Sequence, residues 1–203
     1  MKVLTMPGGK PNERYIAMAV EALRRGEIVV YPTDTLYGLG CDALNNNAVE
    51  SICRIKGINP DKTSLSIICA DISEASKYTK IGNFQFRYLK DNLPGPFTFV
   101  LPAMSKLPKA FKGRKTVGVR IPNNAIARAL AEALGNPIMT SSVRSAQADE
   151  DYTCEPELIA ERLGNEVAYV LDGGRSGSEP STVVDITGDE PVIIRQGVGD
   201  LRG

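Results

Sequence analysis

Apolar positions along the chain alternate between two patterns, a three-to-four-residue spacing and short continuous β-branched runs, and this alternation predicts helices and strands in turn. Ile16, Ala19, Val20 and Leu23 stand at i, i+3, i+4 and i+7, the spacing of one helix face. Asn12 offers an N-cap before them and Gly26 ends the pattern. The run Ile28 to Tyr31 that follows is β-branched and aromatic, which predicts a strand covered on both faces. Val49, Ile52 and Cys53 predict a second helix whose apolar stripe ends on Lys56. A cation there fits two arrangements: a stem snorkelling to water, or an ammonium aimed into a cleft. Further along, strands are predicted at 65–69, 97–101, 116–121, 138–139 and 167–171, and helices within 83–93, 126–134 and 156–163. A polar surface loop is expected over 143–153 and a flexible Gly- and Ser-rich connection over 172–180. A hairpin is expected from 183–186 and 192–195. The whole reads as α/β, one domain over residues 1–203 with a mixed sheet.

The segment after Tyr31 changes character abruptly. Pro32 cannot donate to a ladder and ends the strand. Thr33, Asp34, Thr35 and Tyr37 then crowd polar groups into a loop closed by Gly38 and Gly40, glycines that let a backbone pass close to a ligand or another segment. Open α/β sheets bind ligands at the carboxyl ends of interior strands, although a βα loop that is polar only for solvation looks the same. Gly38 to Ala43 also fits the dinucleotide spacing G-x-G-x-x-A. There, however, the first glycine turns directly out of a strand, and here Pro32 to Tyr37 intervene with no helical pattern following at once.

Composition narrows the chemistry. Among 203 residues, Lys plus Arg and Asp plus Glu are both 24 and histidine is absent, which removes imidazole catalysis, the Ser-His-Asp triad and His-ligated zinc. Cys41, Cys53, Cys69 and Cys154 form no C-x-x-C pair and read as buried thiols of a reducing compartment, not a metal site or a disulfide framework. With neither a secretory leader pattern nor a bilayer-length apolar run, the expectation is a cytoplasmic protein without a membrane partner. The charge is unevenly spread. Between Asn92 and Ala131 there is no acidic residue, while Lys106, Lys109, Lys112, Arg114, Lys115, Arg120 and Arg128 all fall inside. That suits a polyphosphate or an RNA backbone, with a solvated loop neutralised from elsewhere as the lesser alternative. Arg120, on a buried strand, needs an anionic partner.

The candidate groups are the hydroxyls of Thr33, Thr35, Thr116, Thr140, Ser141, Ser142, Ser181 and Thr182, with Lys56, Arg120 and Arg195. No P-loop is present. Hydroxyls and cations without imidazole suit phosphoanhydride chemistry, in which positioning and charge stabilisation dominate.

The sequence resembles the YrdC-like family of threonylcarbamoyl-AMP synthases, within the YrdC/YciO superfamily. The resemblance is carried by Tyr31-Pro32-Thr33-Asp34-Thr35-Leu36-Tyr37-Gly38-Leu39-Gly40-Cys41-Asp42-Ala43, by Pro94 to Leu101, by Val117-Gly118-Val119-Arg120-Ile121-Pro122 and by Ser181-Thr182-Val183-Val184-Asp185. It implies a twisted mixed β-sheet with flanking helices and a concave, positively lined cleft. It also implies synthesis of threonylcarbamoyl-AMP and pyrophosphate from L-threonine, bicarbonate and ATP with Mg²⁺, for the t6A modification at position 37 of tRNA, the product passing to downstream transfer proteins. By resemblance Thr33, Arg120 and Ser181 bind threonine, Lys56, Thr116, Ser141 and Arg195 bind ATP, Lys56 and Arg120 are catalytic, and no protein group ligates a metal. Two departures stand out: the family's K-x-R is Lys56-Gly57-Ile58 here, and its S-x-N is Ser141-Ser142-Val143. Lys62 or Arg144 are the nearby cations that would have to substitute. Both losses resemble the YciO branch, whose alternative role is a noncatalytic or weakly active protein binding double-stranded RNA or ribosomal RNA.

Overall fold

The structure, a computed structural model, describes residues 2–59, 63–112, 115–143 and 150–203. Helix α1 (Glu13–Arg24) starts where Asn12 Oδ1 accepts the Tyr15 N–H, and it buries the predicted face of Ile16, Ala19, Val20 and Leu23. Helix α2 (Asn46–Lys56) is capped in the same way by Asn45 and ends on Gly57 in the left-handed region, where glycine carries no Cβ penalty. The remaining helices are α3 (Ile72–Ala75), α4 (Asn83–Asn92), α5 (Lys109–Lys112), α6 (Ala125–Leu134), α7 (Glu150–Cys154) and α8 (Pro156–Leu163). Strands are β1 (Lys2–Thr5), β2 (Val29–Tyr31), β3 (Gly38–Asp42), β4 (Ser66–Ile68), β5 (Phe97–Pro102), β6 (Thr116–Arg120), β7 (Ile138–Ser142), β8 (Tyr169–Asp172), β9 (Thr182–Asp185) and β10 (Val192–Arg195).

Among the described residues these strands form one mixed sheet in the order β1-β8-β2-β3-β7-β4-β6-β5-β9-β10. Strand alternation divides the core. Val29, Tyr31, Ile68 and Ile138 pack with α1 and α6, while Val30, Leu39, Ile67, Val119 and Met139 pack with α2, α4 and α8. All four cysteines are free and buried. Among the described residues no helix is long and apolar enough to cross a membrane.

The structure corrects several expectations. The segment after β2 is not a βα loop: Gly38 to Asp42 form a strand antiparallel to β2, with Tyr31 opposite Gly38, so Pro32 to Tyr37 make a hairpin connection and the dinucleotide spacing falls inside a strand. The glycines serve Tyr31. A Cβ at Gly40 would stand 2.5 Å from Tyr31 Cε1 and 2.6 Å from Ile138 Cγ2, and one at Gly38 3.0 Å from the same ring. The Tyr31 ring thus crosses β3, and its hydroxyl donates to Thr140 Oγ1 on β7 at 2.6 Å. Gly40→Ala is therefore expected to destabilise the fold by about 1–3 kcal/mol through overpacking against the Tyr31 ring and Ile138. A chemical denaturation midpoint reads this, and an unchanged midpoint would contradict the packing. Part of the expected 143–153 loop is helix α7, with Tyr152, Thr153 and Cys154 buried. The 172–180 connection is tied down: Tyr37 Oη donates to Gly174 O and accepts from Gly173 N–H, and Cys154 Sγ donates to Gly177 O. Strand β1, pairing with β8 at one edge, had no counterpart in the sequence reading.

Candidate functional site

Hydroxyls and two guanidinium groups meet in a cleft of about 220 Å³, across β7, β4, β6 and β5. Its floor depends on Gly118. A Cβ there would lie 2.4 Å from Ser66 Oγ and 2.9 Å from Thr98 Cγ2, so the glycine opens β6 to the hydroxyl-bearing side chains of β4 and β5. Thr35, Leu36, Thr140, Ser141, Ser142, Pro180, Ser181, Arg120 and Arg195 complete most of the wall. Gly118 and Arg120 share a face of β6, two residues apart.

Arg120 is held from one side. Its Nη2 donates to Asp34 Oδ1 at 3.2 Å and to Thr35 Oγ1 at 3.0 Å, and both charged side chains are only 11% exposed. Burial lowers the guanidinium's pKa and Asp34 opposes that effect; the anionic partner that a buried-strand arginine requires is therefore Asp34. Asp34 Oδ2 also accepts the Asn123 N–H at 2.7 Å, just before α6.

Arg195 reaches the cleft from the sheet edge. β9 and β10 lose register between Ile193 and Arg195, and a bulge of this kind re-aims the side chain beside it. Arg195 Nη2 donates to Ser181 O at 2.8 Å. Ser181 Oγ lies 2.8 Å from Thr98 Oγ1, so one serine links the arginine to the cleft floor. The segment behind it fits closely: a Cβ at Gly197 would meet Pro180 O at 2.2 Å, and Thr182 Oγ1 donates to Gly199 O.

The predicted site residues divide accordingly. Arg120, Arg195, Ser141 and Ser181 line one cleft. Lys56 sits at its margin, half-buried, with Nζ donating to Ser142 O at 2.7 Å, and burial pulls its ammonium below the ordinary value. Thr33 stands behind the wall, its Oγ1 donating to Leu36 O at 2.6 Å and 3.1 Å from Thr35 Oγ1. Thr116 lies two residues before Gly118 on β6, outside the cleft lining. Thr182 is fully buried and faces the C-terminal segment. Asp34, Thr98, Ser64 and Ser66 were not among the candidates. Pairing across β4, β6 and β5 brings Thr98 and Ser66 to the cleft, with Ser64 just before β4, a contact with no local sequence signal.

One departure from the family pattern lines this cleft and the other lies one residue beyond its wall. Ile58 lines it, and Val143 is buried beside Ser142, donating its N–H to Tyr37 O. Lys62 and Arg144 lie outside the described residues. Among the described residues no Asp or Glu lines the cleft, and no His, Cys, Asp or Glu cluster could hold a metal.

Residues 21–197 match the model of the Sua5/YciO/YrdC family, described as telomere recombination. YciO of Escherichia coli is 43% identical over 194 residues, covering 95% of this chain and 93% of that protein. Its crystal structure superposes with a TM-score of 0.89 over 98% of this chain and 96% of that one. The threonylcarbamoyl-AMP synthase of Bacillus subtilis is 34% identical over 92% of this chain and 54% of its own length. The structure of P. abyssi Sua5 complexed with L-threonine has a TM-score of 0.86 at 32% identity, over 97% of this chain and 57% of that one. With the match spanning most of its length and the fold shared throughout, the chain belongs to the Sua5/YciO/YrdC family.

Proposed function

We propose that the cleft binds ATP and L-threonine and joins them with bicarbonate into threonylcarbamoyl-AMP, releasing pyrophosphate, in support of tRNA t6A formation. The observation that carries this reading is the convergence of Arg120, Arg195, Ser141 and Ser181 on a cleft lined by no carboxylate among the described residues. Donors without competing anions suit a substrate carboxylate and a polyphosphate. The names of the B. subtilis and P. abyssi relatives support the substrate class.

In this reading the neutral threonine amine bonds to the carbon of bicarbonate, whose hydroxyl leaves with an amine proton as water, giving a carbamate. One carbamate oxygen then bonds to the α-phosphorus of ATP as the bond from that phosphorus to pyrophosphate breaks. The step needs charge stabilisation more than proton transfer, which suits a chain without histidine. Arg120 and Ser181 would hold threonine, with Thr33 supporting Arg120 through Thr35. Arg195, Ser141 and Lys56 would serve the phosphates, and Thr116 would act only on a part of ATP extending beyond the cleft. Magnesium would arrive with the nucleotide, held by phosphates and water, because this cleft offers hydroxyls where an all-protein magnesium site needs carboxylates.

Calorimetric titration separates these roles. Ser181→Ala is expected to weaken L-threonine about 10-fold and leave MgATP unchanged, with Ser141→Ala doing the reverse, as the loss of one hydrogen bond to a charged group predicts. No heat with either ligand would overturn the reading. The exposed Lys106, Lys109 and Lys115 of the acid-free stretch favour RNA as the second reading, in which duplex RNA binds with steep salt dependence and neither small ligand does.

A further inference from the structure

We propose that Asp34 is a positioning residue that fixes one side of the Arg120 guanidinium, so that its remaining N–H groups are held for a carboxylate-bearing ligand. The inference rests on the reading of the cleft as a carboxylate- and phosphate-binding site. Buried Arg–carboxylate pairs gain most as two-pronged forks. This pair is not one: Asp34 Oδ1 meets only Nη2, while Oδ2 accepts the Asn123 N–H. Arg120 Nε, sealed from solvent, has no partner among the described residues. An ion pair serving stability alone would close the fork, since a buried N–H without an acceptor is costly. Because Nε is sealed from solvent, what the side chain offers the cleft that it lines is the Nη end of the guanidinium.

Asp34 is also suited to set an orientation. The Asn123 N–H anchors its carboxylate independently of Arg120, and the backbone there leads directly into α6. Thr35 Oγ1, 3.1 Å from Thr33 Oγ1, accepts from the same Nη2, so two fixed oxygens hold one nitrogen. A group held this way loses little freedom when a ligand arrives, the benefit of preorganisation. Asp34 also offsets the arginine's charge, leaving a directional donor set at the cleft.

The test is Asp34→Asn, which keeps the size and one acceptor for Asn123 but removes the charge facing Arg120. Positioning predicts L-threonine binding at least about 10-fold weaker, the size of one charge-assisted contact, with MgATP binding within about two-fold. If Asp34 acted only as a nearby anion, its removal would tighten threonine binding by relieving repulsion; if only as a structural cap, it would lower the melting temperature and leave binding unchanged. Either result overturns the proposal. A second readout needs no ligand. In ¹⁵N-edited spectra of the arginine side chains, the separate Arg120 Nη signals of a guanidinium with hindered rotation should collapse in Asp34→Asn and return in part in Asp34→Glu. If the wild-type protein binds no L-threonine, the substrate reading falls. The arginine spectra then decide alone: collapse upholds Asp34's hold on Arg120, and unchanged signals refute it.

Discussion

Replacing Arg120 by alanine is expected to lower the proposed threonine-dependent pyrophosphate release by about 100-fold or more and to leave the protein folded. The size follows from removing a preorganised cationic donor from a water-poor cleft. Arg120 is 11% exposed and lies among the cleft hydroxyls of Thr35, Thr98 and Ser181. Stability falls as well, because Asp34 is left buried without its cation. The Asn123 N–H still satisfies one of its oxygens, which limits the loss to about 1–3 kcal/mol. For a chain of this size that is a melting temperature lower by roughly 2–12 °C. Arg120→Lys keeps the charge without the planar donor set and is expected to rescue little. Steady-state pyrophosphate assays and circular-dichroism melts check both parts. A rate equal to wild type would remove Arg120 from the site.

Ile58→Arg is expected to raise pyrophosphate release about 10-fold or more. Ile58 lines the cleft where the family pattern carries an arginine, and Lys56, at the same margin, directs its ammonium to the Ser142 carbonyl. One further charge-assisted contact to phosphate contributes about 1.5–3 kcal/mol, or about 10- to 100-fold in rate if it forms in the transition state. Ile58 is half-buried and packs against the main core on one side while lining the cleft on the other, so the arginine gives up that apolar contact and turns its charged end to the cleft. An unchanged rate would mean that the cation is not what limits this chain.

The parts of the molecule legible in the sequence are those written locally. The spacing of Ile16 to Leu23, with Asn12 before it, is sufficient for α1 because helix hydrogen bonds and caps are short-range. Pro156 to Leu163 is likewise recovered residue for residue as α8. Strand β3 was not legible: Gly38-Leu39-Gly40 has low strand propensity, and the two glycines are explained by the Tyr31 ring lying across the strand, with Ile138 also close to Gly40. The site shows the same division. Arg120 declared itself as a charge on an apolar strand. Asp34 could not, since its partner is 86 residues away, and neither could the Ser66–Gly118–Thr98 floor, which three separate strands assemble. Arg195 stood among the candidate cations, with its ATP role implied by resemblance, but its route into the cleft depends on a bulge that no residue pattern marks.

The measurement that bears most directly on the central claim is pyrophosphate release by the purified protein with ATP, Mg²⁺ and bicarbonate, with and without L-threonine, coupled to mass detection of the adenylate. The account predicts threonine-dependent release accompanied by threonylcarbamoyl-AMP. No threonine-dependent release and no adenylate, from folded protein at saturating substrates, would contradict it.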